Sequence, residues 1–255
     1  DLHSFPTRRS SDLVACLEGH ACVDGICRPL CDGVVCAPGQ TAWATRLGDD
    51  GAGAPGEHLD QAIFAAVADG SDVVVAAELR GDAYVGDLVA SANGGLDVLV
   101  ARYDREGRAV ATSVYGGGGA DRVRVRLVAG DGGYVIAGRY RNNGTSVCGL
   151  SATNDSDDGF VARVAPDGTC RWSVELKSPG LDEVVDLAWQ GSDVWMTGWV
   201  AAAGSLVAGG DTTALPHEGG DELLVARLTA NGDLAAMSLL AAAGDQRPAE
   251  LAAQG

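Results

Sequence analysis

Apolar and polar residues alternate over short runs along most of this chain, and no helical periodicity of useful length is present. The runs are separated by turn-forming segments rich in Gly, Asp, Asn and Ser: ADGSD, DREG, GDGG, PDG, QGSD and ANGD. Alternation with a period of two is typical of half-buried strands, and short links of this composition join antiparallel strands as hairpins. The pattern therefore predicts an all-β protein.

Two sequence blocks recur in the same order along the chain. A Val-Ala-Arg anchor begins at three positions spaced by 61 and 64 residues: Val100, Val161 and Val225. A second block opens each time on an aspartate, and its fourth copy is short: Asp60, Asp121, Asp182 and Asp245. Because both blocks repeat together, the chain is predicted to be a tandem array.

Each repeat holds four predicted strands, labelled A to D in chain order. In the first repeat they cover residues 62–68, 72–79, 97–103 and 109–115. Four short antiparallel strands per repeat are typical of a β-propeller blade. We expect three complete blades, at 60–115, 121–176 and 182–240, within an incomplete propeller over 41–255. A lone outer strand at 41–47 and a truncated blade at 245–255 would flank them.

Three features resemble a known family: the A–B hairpin AVADGSDVVVAA, the following D-x-x-VAR strand and an outer strand carrying Trp. Together they resemble the bacterial seven-bladed β-propeller repeat family, often abbreviated SBBP, over residues 41–255. The resemblance implies a propeller fold. The outer-strand Trp is present as Trp43 and Trp172 but replaced by Ala111 and Ala236. Since three blades do not close a ring, we expect a fragment of a longer protein.

The B-to-C connections are the longest links in the repeats, at 80–96, 141–157 and 201–220. They are predicted to be long irregular loops. In an up-and-down blade they emerge on the same face as the D-to-A connections, and variable loops on a rigid scaffold commonly carry binding. That face is the predicted functional surface.

The four repeated aspartates have two interpretations. Asp60, Asp121, Asp182 and Asp245 each open a strand A and could form a ring of carboxylates that binds calcium. Alternatively, each carboxylate accepts hydrogen bonds from its own D-to-A loop and fixes the turn. Repetition in every unit favours the structural role. Calcium is the only cofactor considered, and no other is predicted.

Two further polar features are given structural interpretations. The segment NDSDDG (154–159) resembles the start of a calcium loop, but Ala165 occupies the position of the acidic closing ligand, so a solvated loop is expected. The arginines of the repeated anchor are expected to pair with carboxylates at the surface or between blades, not to clamp a ligand: Arg102, Arg163 and Arg227.

The cysteines indicate an oxidising compartment. Five of the seven lie close together in a stretch poor in core-forming residues, which predicts a small disulfide module at 14–40 with unknown pairing: Cys16, Cys22, Cys27, Cys31 and Cys36. Zinc is the alternative, but the spacings fit poorly and His20 is the only nearby histidine. Cys148 and Cys170 are predicted to staple the second B-to-C loop to its outer strand, the alternative being two free buried thiols.

Charge and motifs exclude several function classes. With 35 acidic and 18 basic side chains the formal net charge is -17, which repels phosphate backbones and anionic membranes, so nucleic acid is not an expected partner. No apolar run is long enough to cross a membrane. No nucleophile elbow, P-loop, dinucleotide fingerprint or H-E-x-x-H motif is present. Catalysis within this chain is therefore not predicted.

Residues 1–13 differ from everything that follows. HSFPTRRSSDL (3–13) resembles the in-frame translation of a sequencing-library adapter, so we exclude 1–13 from the fold and expect no ordered structure there. The signal peptide of an exported protein is expected to have been lost with the missing N-terminus.

Two functions are consistent with these features. The first is a secreted or cell-surface binding and scaffold protein whose propeller loops meet a protein or glycan partner. The alternative is a propeller hydrolase or lyase with a composite active site partly in the missing blades.

Overall fold

The computed structural model describes residues 20–23, 26–29, 47–48, 63–117, 126–129, 132–141, 147–150, 156–248 and 250–251. All regular structure in these segments is β, as the alternating pattern predicts. Residues 1–13, expected to be adapter-derived, lie outside the described residues, as do residues 41–46 of the predicted lone outer strand.

Nineteen strands are present in the described segments. In chain order they are β1 (His20–Val23), β2 (Ile26–Pro29), β3 (Leu47–Gly48), β4 (Ile63–Asp69), β5 (Asp72–Leu79), β6 (Asp82–Val85), β7 (Leu88–Ser91), β8 (Asp97–Tyr103), β9 (Ala109–Tyr115), β10 (Arg126–Ala129), β11 (Tyr134–Arg141), β12 (Asp157–Val164), β13 (Cys170–Lys177), β14 (Asp182–Gln190), β15 (Asp193–Val200), β16 (Gly204–Ala208), β17 (Asp211–Leu215), β18 (Glu222–Leu228) and β19 (Leu234–Leu240).

The three repeats form three antiparallel sheets. Sheet 1 has the order β4-β5-β8-β9, sheet 2 begins β10-β11-β12-β13, and sheet 3 has the order β14-β15-β18-β19. These are strands A to D of each repeat in sequence order. In sheet 1, strands B, C and D begin and end where predicted, and strand A is shifted by one residue. The prediction of four-stranded antiparallel units is confirmed.

The sheets share one local irregularity. In each C–D pair the register shifts directly after the arginine of the anchor, at Arg102, Arg163 and Arg227. A glycine with positive φ then closes each C-to-D turn: Gly107, Gly168 and Gly232. Glycine suits these places because its φ near +80° is unfavourable for residues with a Cβ atom. The repeated sequence therefore produces a repeated bulge and turn.

The sheets pack face to face in chain order. One buried cluster joins sheets 1 and 2 and includes Val98, Ile136 and Phe160. A second joins sheets 2 and 3 and includes Val161, Leu176 and Met196. Sheet 2 is therefore covered on both faces, and in the described part of the chain no closed ring is formed. The core is built mainly of Val, Leu and Ala from neighbouring sheets.

The prediction of irregular B-to-C loops is wrong for the first and third repeats. The first connection contains the hairpin β6–β7 and the third contains β16–β17. Both hairpins turn on two residues that include glycine with positive φ, at Gly86 and at Gly209–Gly210. Such turns match the twist of a hairpin. The sequences AYVGDLVA and SLVAGGDTTAL carry this signal, although the length of the two connections predicts loops.

Each hairpin joins the outer strand that precedes its own sheet. Strand β16 pairs with β13 of sheet 2, where Leu176 lies opposite Leu206. Strand β6 pairs with β3, where Leu47 lies opposite Val85. Leu47 and Leu176 occupy equivalent positions when Trp43 is aligned with Trp172. Pairing of β3 thus follows the pattern expected of the outer strand of a preceding unit.

Candidate functional site

Every sheet has two ends with different connections. We call the end with the short A–B and C–D turns the turn edge; it includes residues 70–71, 104–108, 165–169, 191–192 and 229–233. We call the opposite end, where strands A and C begin, the loop edge; it includes residues 92–96, 178–181, 201–203, 216–221 and 241–245. The loop edge is the predicted functional surface.

Most of the B-to-C chain does not stay at the loop edge. The tip of β6–β7 lies near the C–D turn of sheet 1, since a Cβ atom added at Gly86 would lie 3.3 Å from Cβ of Ala109. The tip of β16–β17 lies against Asp233 of the C–D turn of sheet 3. Both hairpins therefore run along the outside of the sheets to the turn edge. The B-to-C chain therefore contributes less surface at the loop edge than the sequence predicted.

The second B-to-C connection is fixed by a disulfide. Cys148 and Cys170 are bonded, 22 residues apart, and this confirms their predicted pairing. Ser173 donates a side-chain hydrogen bond to the carbonyl of Cys148, and Val147 is fully buried in the cluster between sheets 1 and 2. Because Cys170 begins β13 at the turn edge, this connection also crosses the whole sheet.

The remaining cysteine predictions are largely untested. Cys22 and Cys27 lie opposite each other in the hairpin β1–β2, and their pairing stays a prediction. Cys16, Cys31 and Cys36 lie outside the described residues.

The loop edge contains a buried carboxylate at one repeated position, three residues before Val-Ala-Arg. This position lies at the start of strand C in each sheet, where it is the first or second residue of the strand. The side chain there is fully buried in all three sheets: Asp97, Asp158 and Glu222. The D-x-x-VAR pattern marks this position in two repeats, but its burial was not predicted. Repetition of an acidic residue at a strand entrance was the available signal.

Asp97 and Glu222 hold the loops that lead into their strands. The amide of Asn93 donates to Asp97 at 2.5 Å. Burial raises the pKa of Asp97, and hydrogen bonds from the amides of Asn93 and Gly117 partly oppose that shift. These contacts are short-range loop anchors.

Glu222 has a more complete set of donors. It accepts hydrogen bonds from the amides of Glu218 and Gly219 at 2.7 and 3.2 Å, and its other oxygen lies 2.5 Å from Nδ1 of His217. Burial acts to raise the pKa of Glu222, but these donors outweigh it and the pKa is lowered. The carboxylate is therefore held in its ionised form.

Asp158 and Asp182 form a different environment, between sheets 2 and 3. Both are fully buried. Burial and the nearby charge of Glu175 raise the pKa of Asp158 to about 7. Burial also raises the pKa of Asp182 to about 7, and the charge of Asp158 adds to that shift. Two carboxyl groups that disfavour ionisation thus lie close together at the loop edge.

Serine side chains link these two carboxyl groups. Ser178 donates to Oδ1 of Asp182 at 2.8 Å, and the amide of Ala201 donates to the same oxygen at 3.2 Å. Oγ of Ser156 lies 3.4 Å from Oδ1 of Asp158 and 3.1 Å from the carbonyl oxygen of Ser178. The contact from Ser178, in the D-to-A connection, is the one that the turn-fixing interpretation of Asp182 expects.

The other members of the predicted aspartate ring are not brought into this environment. Asp60 and Asp121 lie outside the described residues, and Asp245 is exposed beside Gly220. Among the residues that the structure describes, no three His, Cys, Asp or Glu side chains are grouped closely enough to hold a metal ion by themselves. The calcium ring stays a prediction.

The prediction that 154–159 is a solvated loop is wrong for its last residues. Strand β12 begins at Asp157, and Asp158 has no exposed surface. Gly159 explains the burial, because a Cβ atom there would lie 3.2 Å from the amide nitrogen of Val184 in sheet 3. The close approach of two backbones encloses the neighbouring aspartate.

The repeated arginines act at the turn edge. Arg102 bridges Asp69 and Asp72 at 2.8 and 2.7 Å, and Arg227 pairs with Asp193 at 3.1 Å.

Arg163 instead connects two sheets. It donates to the carbonyl of Ala230 in sheet 3 at 2.9 Å, and its guanidinium lies 5.1 Å from the ring centre of Trp189. The predicted pairing with carboxylates is confirmed for Arg102 and Arg227, whereas the contacts of Arg163 across the two sheets are with a carbonyl oxygen and an aromatic ring.

The last described segment crosses the outer face of sheet 3. Arg247 pairs with Asp221, and its guanidinium lies 4.1 Å from the ring centre of Trp199. The amide of Leu251 donates to Asp186 at 2.7 Å. The segment therefore partly covers the outer face of sheet 3. The corresponding faces of sheets 1 and 2 are buried against the next sheet in the stack.

Comparisons with known proteins identify no family for this chain. No helix within the described segments has the length and apolar character needed to cross a bilayer. No protein-family model matches the chain, and no curated protein matches it.

Proposed function

We propose that this chain is a β-propeller-type repeat scaffold of a secreted or cell-surface binding protein, with the loop edge as its contact surface for a protein or glycan. One observation carries the proposal: three equivalent sheets stack face to face, and the hairpin of the third repeat is built into the sheet before it. Such interlocking supports a rigid platform on which short loops are held in place.

The residues at the loop edge support binding over catalysis. Its exposed residues are mostly small, acidic or proline: Asn93, Gly94, Pro179, Ala203, Pro216, His217, Glu218, Ala243, Gly244 and Asp245. The buried carboxylates Asp97 and Glu222 hold loop backbone and are directed to internal donors. A surface of this kind supplies hydrogen-bonding groups and shape without a nucleophile.

One contact favours the alternative of a hydrolase or lyase. The imidazole of His217 is partly exposed and its Nδ1 contacts the buried Glu222, an arrangement that can orient a general base. The described residues place no Ser, Thr or Cys nucleophile in hydrogen-bonding contact with His217. Turnover of glycosides or polysaccharide lyase substrates that is abolished by His217→Ala would favour this alternative over the binding proposal.

The binding proposal is tested with two charge-matched variants. The chain is applied to glycan and extracellular-protein arrays at 0.15 M salt, and each positive is measured again with Glu218→Arg/Asp245→Arg at the loop edge. The control, Glu106→Arg/Asp211→Arg, makes the same charge change at exposed residues of the turn edge and the hairpin tip. We expect the loop-edge variant to change affinity at least about tenfold and the control less than about twofold. Absence of any ligand, or equal effects of both variants, would overturn the proposal.

A further inference from the structure

The second repeat departs from the other two at the buried carboxylate position. Asp97 and Glu222 each accept at least one backbone amide of the preceding loop. Oδ1 of Asp97 and Oδ2 of Asp158 are both buried without a hydrogen-bond partner among the described residues, but Asp158 differs in that its other oxygen has only the side chain of Ser156, at 3.4 Å, and no amide donor. A buried carboxylate oxygen without a donor is costly, so this position calls for a positive partner or a proton.

Asp182, a second buried carboxylate near Asp158, also has an oxygen without a hydrogen-bond donor. Oδ1 of Asp182 accepts from Ser178 and Ala201, whereas Oδ2 is buried and has no partner among the described residues. Asp182 opens strand A of sheet 3, and Asp158 lies at the start of strand C of sheet 2. The two unsatisfied oxygens therefore come from two different sheets.

The nearby cations are already used by other carboxylates. Nζ of Lys177 lies 2.5 Å from Glu175, which also accepts a hydrogen bond from the hydroxyl of Tyr140. Arg139 lies 3.7 Å from Asp157. These side chains pair with Glu175 and Asp157, and the charge of Lys177 only partly opposes the rise in the pKa of Asp158.

We propose that Asp158 and Asp182 together bind one hard divalent cation, calcium, at the junction of sheets 2 and 3. Their carboxylates supply two negative charges from opposite sides of the junction. The hydroxyls of Ser156 and Ser178 and the carbonyl of Ser178 are further oxygens in the same hydrogen-bonded chain. Calcium accepts six to eight oxygen ligands of mixed type, including carbonyls and water.

The ligands come from two carboxylates and several neutral oxygens. With only two carboxylates as charged ligands, the site is not a cluster of three acidic side chains, and serine, backbone and water oxygens complete the shell. The cation links sheets 2 and 3, so its binding stabilises the packing between them. The site involves one member of the aspartate set predicted from the sequence and one residue of the NDSDDG segment, and it does not depend on the binding function proposed above.

Calcium binding is measured on the whole chain after treatment with EDTA and buffer exchange at pH 7.5. Thermal unfolding is followed with no added metal, 1 mM CaCl₂ or 1 mM MgCl₂, and calcium binding is titrated calorimetrically. If calcium is present at about 100 times its dissociation constant, we expect the unfolding temperature to rise by about 5 °C, with a smaller rise for magnesium.

Isosteric amides distinguish this site from calcium bound elsewhere. Asp158→Asn and Asp182→Asn remove the charge but keep the shape, so in EDTA each variant is expected to unfold at or above the temperature of the wild type. Both should lose at least about tenfold in calcium affinity. Asp97→Asn at the equivalent position of sheet 1 and the exposed Asp245→Asn serve as controls that keep the calcium response.

Two results would overturn the proposal. One is a wild-type chain with no calcium-dependent heat and no shift in unfolding temperature at pH 7.5, which would mean that the two carboxyl groups are held by protons alone. The other is a calcium response that survives unchanged in both Asp158→Asn and Asp182→Asn, which would place the bound ion elsewhere.

Discussion

A carboxyl group at the same repeated position behaves differently in each sheet because its hydrogen-bond donors differ. Glu222 receives two amides and an imidazole, so its pKa is lowered despite burial. Asp97 has amide donors that only partly oppose the effect of burial. Burial raises the pKa of Asp158 to about 7, because the charge of Glu175 adds to the shift and its one distant serine donor opposes it only weakly. Donors in the local loop therefore determine the charge state at this position.

The raised pKa of Asp182 predicts a pH-dependent stability. Its value of about 7 in the folded chain, against an ordinary value of 3.8, means that the folded state retains a proton that the unfolded state has lost. The stabilisation is complete below about pH 4 and is lost as the pH rises through 7. In EDTA, we expect Asp182→Asn to reduce the fall in unfolding free energy between pH 5 and 8 by about 2 kcal/mol.

Urea unfolding at pH 5, 6, 7 and 8 measures this dependence. Asp245→Asn is the control, because that aspartate is exposed and should leave the pH profile unchanged. A parallel pH profile for the wild type and Asp182→Asn would contradict the prediction.

At the level of the elements, the insertions between strands B and C hold the stack together. The insertions of the first and third repeats fold into hairpins, and that of the second repeat is fixed by the disulfide. The two hairpins pair with β3 and β13 and so cover strand edges that would otherwise present unpaired backbone groups. They contribute to stability more than to a displayed surface.

Removal of the disulfide tests this stabilising role for the second insertion. The bond closes a separation of 22 residues, and loss of such a crosslink costs about 3 kcal/mol through the added freedom of the unfolded chain. We expect Cys148→Ser/Cys170→Ser to lower the free energy of unfolding by that amount in urea titrations. The double variant is preferable to a reductant, which would act on every cysteine of the chain. An unchanged midpoint would show that the second insertion is held without the crosslink.

Two leucines at equivalent positions test the role of the hairpin in the third repeat. Leu176 is fully buried opposite Leu206 of β16, whereas Leu240 is 56% exposed in β19. Leu176→Ala should destabilise the chain by about 3 kcal/mol, because it leaves a cavity between sheets 2 and 3. Leu240→Ala should change stability by less than about 0.5 kcal/mol. Similar losses of unfolding free energy for both variants would contradict the burial of Leu176 by β16 and sheet 3.

The strands were predictable from sequence, and the buried carboxylates were not. Alternation and turn residues are local signals, so β5, β8 and β9 begin and end where expected. The hairpin signal at Gly209–Gly210 is equally local, but the length of the connection around it predicts a loop. Burial of Asp158 depends on the approach of Gly159 to another sheet, and no pattern within one repeat encodes that distance.

At the scale of the whole molecule, the order of packing makes the three sheets unequal. Sheet 2 is buried between two other sheets, and sheet 1 is buried between sheet 2 and the hairpin β6–β7, whereas the outer face of sheet 3 is crossed only by the segment around Arg247 in the described residues. Strand β12 is buried almost along its full length, while β19 contains only half-buried and exposed residues. In a linear stack, each unit gains stability from its neighbours, so the middle unit should open least often.

Hydrogen exchange detected by mass spectrometry should reveal this gradient. Strands β13 and β19 are the matched pair, since both are the fourth strand of a repeat but only β13 has a further strand paired to its outer edge. Amides of residues 175–177 should exchange at least about tenfold more slowly than those of residues 239–241, with β12 slower than both. Separate peptides from the inner strands β12 and β18 control for differences between sheets 2 and 3. Equal protection of β13 and β19 would mean that β16 does not remain paired with sheet 2 in solution, and the interlocking on which the scaffold proposal depends would then fail.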